Sequence, residues 1–110
     1  MTFKERCMHI QELFDKVDVS NAKDNLSAWV NITGEGSGTI FCAIANRKKA
    51  LIFNPEIQKK TDLQVTISGE NLDLILEKKM DPIHAFTKGK IKIKGNIIKV
   101  FSLKKSISFK

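Results

Sequence analysis

The 110-residue sequence has no apolar run approaching the roughly 18 residues a membrane helix needs, so no segment is expected to span a bilayer as a helix. Cysteine is scarce: Cys7 and Cys42 lie outside any C-x-x-C pair and read as two small hydrophobes on a helix and a strand, which suits a reducing cytosol. Neither His9 nor His84 has a histidine partner at i, i+4, and Cys7 near His9 is a single further candidate, so zinc has no local support and no metal or other cofactor is expected. Acid, base and nucleophile are nowhere grouped, so the chain does not read as an enzyme. "GEGSG", residues 34–38, is not a phosphate loop, because G-x-G-x-x-G requires glycine where Thr39 stands, and Ser37 sits too late for a G-x-S-x-G elbow. Lys4, Glu5 and Arg6 interrupt the apolar opening and Ser108-Phe109-Lys110 is no peroxisomal address, so the expected location is cytoplasmic.

What is present is a globular composition, 42% hydrophobic and 28% charged, expected to fold as one domain over residues 1–110. Its formal charge of +7 is uneven: residues 1–79 carry 11 Lys plus Arg against 11 Asp plus Glu, and residues 80–110 carry eight lysines against Asp81 alone.

Thr2-Phe3-Lys4-Glu5 has the form of a capping box, and Phe3, Cys7, Ile10, Phe14 and Val17 then recur at helical spacing with Leu13 alongside. "DVSNAKDN" reads as a connection. Ala28, Val30 and Ile32 alternate with polar or outward positions in a first strand, "GEGSG" turns a hairpin into "TIFCAIA", and "NRKK" turns again into "ALIF", which Pro55 ends. "DLQVTIS" is a strand with one apolar face; Ser68 is placed to cap a helix bearing Leu72, Ile75 and Leu76, and Asp81-Pro82 to start another with Ile83 and Phe86 inward. "KIKIK" is a strand by strict alternation, and Asn96 is placed to cap a last helix whose inward residues are Ile97, Val100, Phe101 and Leu103. The economical arrangement is α+β: a single, largely antiparallel sheet with helices on one face and solvent on the other.

The alternation sends Lys88, Lys90, Lys92 and Lys94 to one side and Ile91 and Ile93 to the other. The lysines are compatible with a solvated face, an anionic membrane surface or nucleic acid. Binding of single strands also leans on aromatic platforms, however, and this ladder brings none of its own, nor is an RNA-recognition signature present.

Lys79-Met80-Asp81-Pro82, then Ala85-Phe86, then Gly89-Lys90-Ile91-Lys92-Ile93, then Gly95-Asn96 resembles the C-terminal signature of the sterol carrier protein lipid-transfer family. The order of elements is similar too, and the resemblance is strongest over residues 63–104 and weak before residue 27. It implies a five-stranded sheet covered on one face by helices, with an apolar tunnel between the layers for a sterol, fatty acid, acyl-CoA or phospholipid. By position it implies that Leu72, Leu76, Met80, Ile83, Phe86, Ile91, Ile93, Ile97, Val100 and Phe101 line or gate the tunnel. The segment between residues 18 and 27 is shorter than in many relatives, which leaves one wall undetermined. The expectation is therefore an intracellular lipid-binding or lipid-transfer protein. Lys90, Lys92, Lys94, Lys99, Lys104 and Lys105 would aid transient docking to anionic membranes. The rival readings are a basic nucleic-acid-binding protein and a protein-interaction module whose tunnel has collapsed.

Overall fold

The structure, a computed structural model, describes residues 1–109. It begins with helix α1 (Phe3–Asp15). The Thr2 hydroxyl accepts from the Glu5 N–H and the Glu5 carboxylate accepts from the Thr2 N–H, both at 3.1 Å, so the reciprocal box read from the sequence is formed. The helix ends at Asp15, so Val17, expected at the end of its apolar stripe, belongs instead to the two-residue strand β1 (Val17–Asp18). There follow β2 (Leu26–Thr33), β3 (Gly38–Ala45), β4 (Lys48–Phe53) and β5 (Leu63–Ser68). Helices α2 (Gly69–Leu76) and α3 (Pro82–Thr87) precede β6 (Ile91–Gly95), α4 (Ile97–Lys104) and β7 (Ser108–Phe109). Ser68, Asp81 and Asn96 each accept from the backbone N–H three residues on, starting α2, α3 and α4.

The main sheet has the order β4-β3-β2-β5-β6. All its pairs are antiparallel except β2 with β5, which is parallel, so the fold is α+β on a mixed, mostly antiparallel sheet. Strands β1 and β7 form a separate antiparallel pair. In the main sheet, the register puts Ala28, Val30 and Ile32 on one face with Ile40, Cys42 and Ile44, with Leu63, Val65 and Ile67, and with Ile91 and Ile93. That face carries the helices.

The opposite face is not simply solvated, which corrects the sequence expectation. Trp29 lies on it, opposite Phe41, yet is only 7% exposed. The physical reason is topological: residues 54–62 must carry the chain from edge strand β4 past β3 and β2 to reach β5, and they cross this face. Lys59 holds its ammonium 5.6 Å from the Phe41 ring centre, and the Asp62 carboxylate accepts from the Ser27 N–H at 2.9 Å.

Helix α1 is fixed by Arg6, the one buried charged residue among those described, at 4% exposure. Its guanidinium donates to both oxygens of Asp73 on α2, at 2.7 and 3.0 Å, and to the carbonyls of Glu35 and Gly36 in the β2–β3 turn. Charge pairing on a planar fork suits arginine better than lysine here. The glycines around it leave room: a Cβ on Gly36 or Gly69 would run into the Arg6 guanidinium, and one on Gly38 into the Phe3 ring. Hydrogen bonding to Arg6 holds the Asp73 carboxyl below the usual carboxylate range.

Candidate functional site

The helix-side face of the sheet is covered at its two ends by separate apolar clusters. One centres on Ile32, Ile40 and Ile67, with Phe3 and Ile10 of α1, Leu72 and Ile75 of α2, and Ile91 packed against it. The other joins Val19, Ala22, Ile44 and Leu103, with Val17, Leu26 and Ile107. Beyond them the same face carries Ala28, Cys42, Val65 and Ile93, which belong to neither cluster. A crevice of about 50 Å³ opens there, lined by Phe14, Leu26, Ala28, Cys42, Ala43 and Ile44.

Protein interiors are usually packed like organic crystals, and here the buried side chains fall into two separate clusters. Among the described residues no large side chain falls below 2% exposure. The accessible surface is 7335 Å², against about 6,100 Å² expected for a chain of 12.4 kDa. The radius of gyration is nevertheless 13.4 Å, close to the roughly 13 Å of a compact chain this long. Large apolar side chains standing in solvent, among them Met8, Ile57, Ile98 and Phe109, contribute to that surface. Cys42 is half-buried at the small crevice, and desolvation by its surroundings pushes its thiol pKa up.

Of the residues singled out by the sequence, Leu72 and Ile91 pack on the first cluster. Leu76, Met80, Phe86, Ile93, Ile97 and Val100 are half-buried, and of these Ile93 lies on the helix-side face of the sheet. Ile83 and Phe101 do not join them: each is 59% exposed. For Phe101 the reason is helical phase. Buried Leu103 and half-buried Val100 define the inward side of α4, and Phe101 lies more than a right angle away from Leu103 at about 100° per residue. Ala28, Cys42 and Val65 share the sheet face of Ile93 and are not among the tunnel residues that the resemblance implies. Val65 was recoverable once β5 was paired with β6, since it stands opposite Ile93; Cys42 was hidden in a run apolar on both faces.

The lysines do not form one surface. Lys92 and Lys94 stand opposite Thr66 and Gln64 and point away from the helices, whereas Lys104 and Lys105 close α4. Lys90 precedes β6 instead of extending its ladder, its carbonyl accepting from the Asn71 side chain at 3.3 Å. Lys99 is engaged with Asp62 at 3.3 Å, which removes it from the free docking charges. Asp62 is held below the usual carboxylate range, first by the Ser27 backbone N–H and then by Lys99. Two aromatics, Trp29 and Phe41, do share the sheet face with Lys92 and Lys94, contrary to the sequence reading. Trp29 is buried and Phe41 lies beneath Lys59, so neither offers an open stacking platform.

Comparison with known proteins agrees with this architecture. The crystal structure of sterol carrier protein 2 like 2 from Aedes aegypti is 18% identical, with a TM-score of 0.62, and the match covers 90% of this chain and 96% of that one. A solution structure of the palmitated form of that mosquito protein gives 20% identity and a TM-score of 0.70, covering 96% and 93%. A stereoselective inverting sec-alkylsulfatase from a Pseudomonas species also contains the fold, with 21% identity and a TM-score of 0.61. There the match covers 89% of this chain but only 16% of the sulfatase. No curated protein sequence matches significantly. The model of the SCP-2 sterol transfer family matches residues 8–108, nearly the whole sequence, and the chain belongs to that family.

Proposed function

We propose that this protein is an intracellular, non-enzymatic lipid carrier that holds one fatty acid, fatty acyl-CoA, phospholipid or sterol-like molecule in an apolar tunnel. The tunnel would run between the sheet floor at Ala28, Cys42, Val65 and Ile93 and the inner sides of α2, α3 and α4. The observation carrying this reading is the division of the apolar interior into two clusters, with Ala28, Cys42, Val65 and Ile93 in neither and no large side chain fully enclosed. Membership of a sterol transfer family and the fold shared with a palmitated relative support the same direction.

A chain of 16 carbons gains about 12 kcal/mol on leaving water, at roughly 0.8 kcal/mol per methylene. A bilayer offers it the same gain. A carrier therefore need only match the bilayer closely enough for loading and release both to be accessible, and its service is to remove the aqueous step. Free lysines of the basic C-terminal third favour the approach to an anionic leaflet, each contributing on the order of 1 kcal/mol.

Native mass spectrometry of the purified protein tests the assignment. Mass adducts matching single lipids, released by organic extraction, are the expected outcome. Nucleic acid absorbing at 260 nm in place of lipid would reverse the assignment in favour of the basic-protein reading.

A further inference from the structure

Helix α4 has more apolar surface than its position hides. Leu103, at 3% exposure, and half-buried Val100 mark its inward side. At about 100° per residue, Ile98 and Phe101 fall on the outward side with Lys105 between them in azimuth and Lys104 on the flank. Ile98 is 80% exposed and Phe101 59%. These two large apolar side chains stand together in solvent on the side of the helix away from Leu103.

The surrounding charge says what covers it. Lys104 and Lys105 beside it are both exposed, while Lys92 and Lys94 point to the other face of the sheet and Lys99 is paired with Asp62. An apolar stripe with lysine beside it suits a helix that lies in the interface of an anionic bilayer, and its other border is Ser102, which donates to Asp24 at 2.7 Å. A second copy of the chain is disfavoured, because pairing this face with itself would set Lys104 and Lys105 against their own equivalents.

We propose that the outward face of α4, Ile98 and Phe101 with Lys104 and Lys105, seats in the headgroup region of anionic lipid bilayers. The element that contacts the membrane is then the one whose inner side, Val100 and Leu103, packs toward the sheet. The seating stands on the exposed residues alone; its service as a lipid exit rests on the carrier reading above.

The test is sedimentation of the full-length protein with vesicles of phosphatidylcholine containing one-third phosphatidylglycerol, beside titration of the same samples with a fluorescent fatty acid. Ile98→Asp is expected to lower vesicle partitioning at least ten-fold and leave fatty-acid uptake unchanged; Phe101→Ser should lower partitioning in the same direction. Replacing Lys105 by Gln should cost about five-fold, matching the contribution of one lysine near an anionic leaflet. Partitioning of Ile98→Asp equal to wild type overturns the proposal. So does a dimer of the wild type, seen by light scattering, that Ile98→Asp dissolves. Failure of both wild type and variant to take up fatty acid would refute the carrier reading and leave the vesicle comparison intact.

Discussion

Filling the proposed cavity from its floor should make the protein more stable and less able to bind. Cys42 sits on β3 between Ala28 and Leu51 in register, facing the helices beside the small crevice. Cys42→Phe adds apolar surface of roughly 100 Å², which at about 25 cal/mol per Å² stabilises by about 2.5 kcal/mol. Fixing the ring costs about 0.5–1 kcal/mol of rotamer freedom. The net gain is then about 1.5–2 kcal/mol. With a urea slope of roughly 1–1.5 kcal/mol per M, the unfolding midpoint should rise by about 1–2 M without a change in slope. Trp29 reports the transition from the far face of the sheet, where the substitution does not touch it. The ring should also displace about four methylenes of a bound chain, costing about 3 kcal/mol, or more than a hundred-fold in affinity. In a core already filled to normal density, the same substitution overpacks and destabilises by about 1–3 kcal/mol. A lowered midpoint would therefore refute the reasoning.

Asp73→Ala leaves the Arg6 guanidinium buried with only the Glu35 and Gly36 carbonyls, and should cost about 3 kcal/mol and more than 10 °C in thermal midpoint. Arg6→Met combined with Asp73→Leu should recover most of that loss, as read by calorimetry. The depressed carboxyl pKa values of Asp73 and Asp62 mean that the unfolded chain takes up their protons first. Their stabilisation is complete above the unfolded value of about 4 and is lost as pH falls through the lower folded values, so denaturation midpoints should decline only below about pH 5. Gly95 has φ +114° and a Cβ there would meet the Asp62 carbonyl, so Gly95→Ala should cost about 1–3 kcal/mol and raise amide exchange along β6.

Features set by neighbours in sequence were legible. Helix starts at Thr2, Ser68, Asp81 and Asn96 depend on a side chain and an N–H three residues apart, and the alternation of Ile91 and Ile93 with Lys92 and Lys94 needs no partner to be seen. Features set by the path of the chain were not. Nothing near Trp29 in sequence announces that residues 54–62 will cover it, and nothing in the first helix marks Arg6 as buried, since Asp73 lies 67 positions away. The side of α4 that turns inward was decided by Leu103, which packs on Ile44 and Val19; periodicity alone fits two neighbouring phases and admitted Phe101 to the interior. Space for a guest was illegible for a further reason. An amphipathic helix on a sheet has the same pattern whether side chains or a guest fills the gap.

Saturable uptake of a fluorescent fatty acid by the wild-type protein tests the occupied-space claim most directly, with Trp29 as energy donor through the sheet. One molecule bound per chain, displaced by unlabelled fatty acid and weakened at least a hundred-fold by Cys42→Phe, is the predicted result. No uptake of any amphiphile, or uptake indifferent to Cys42→Phe, would contradict it.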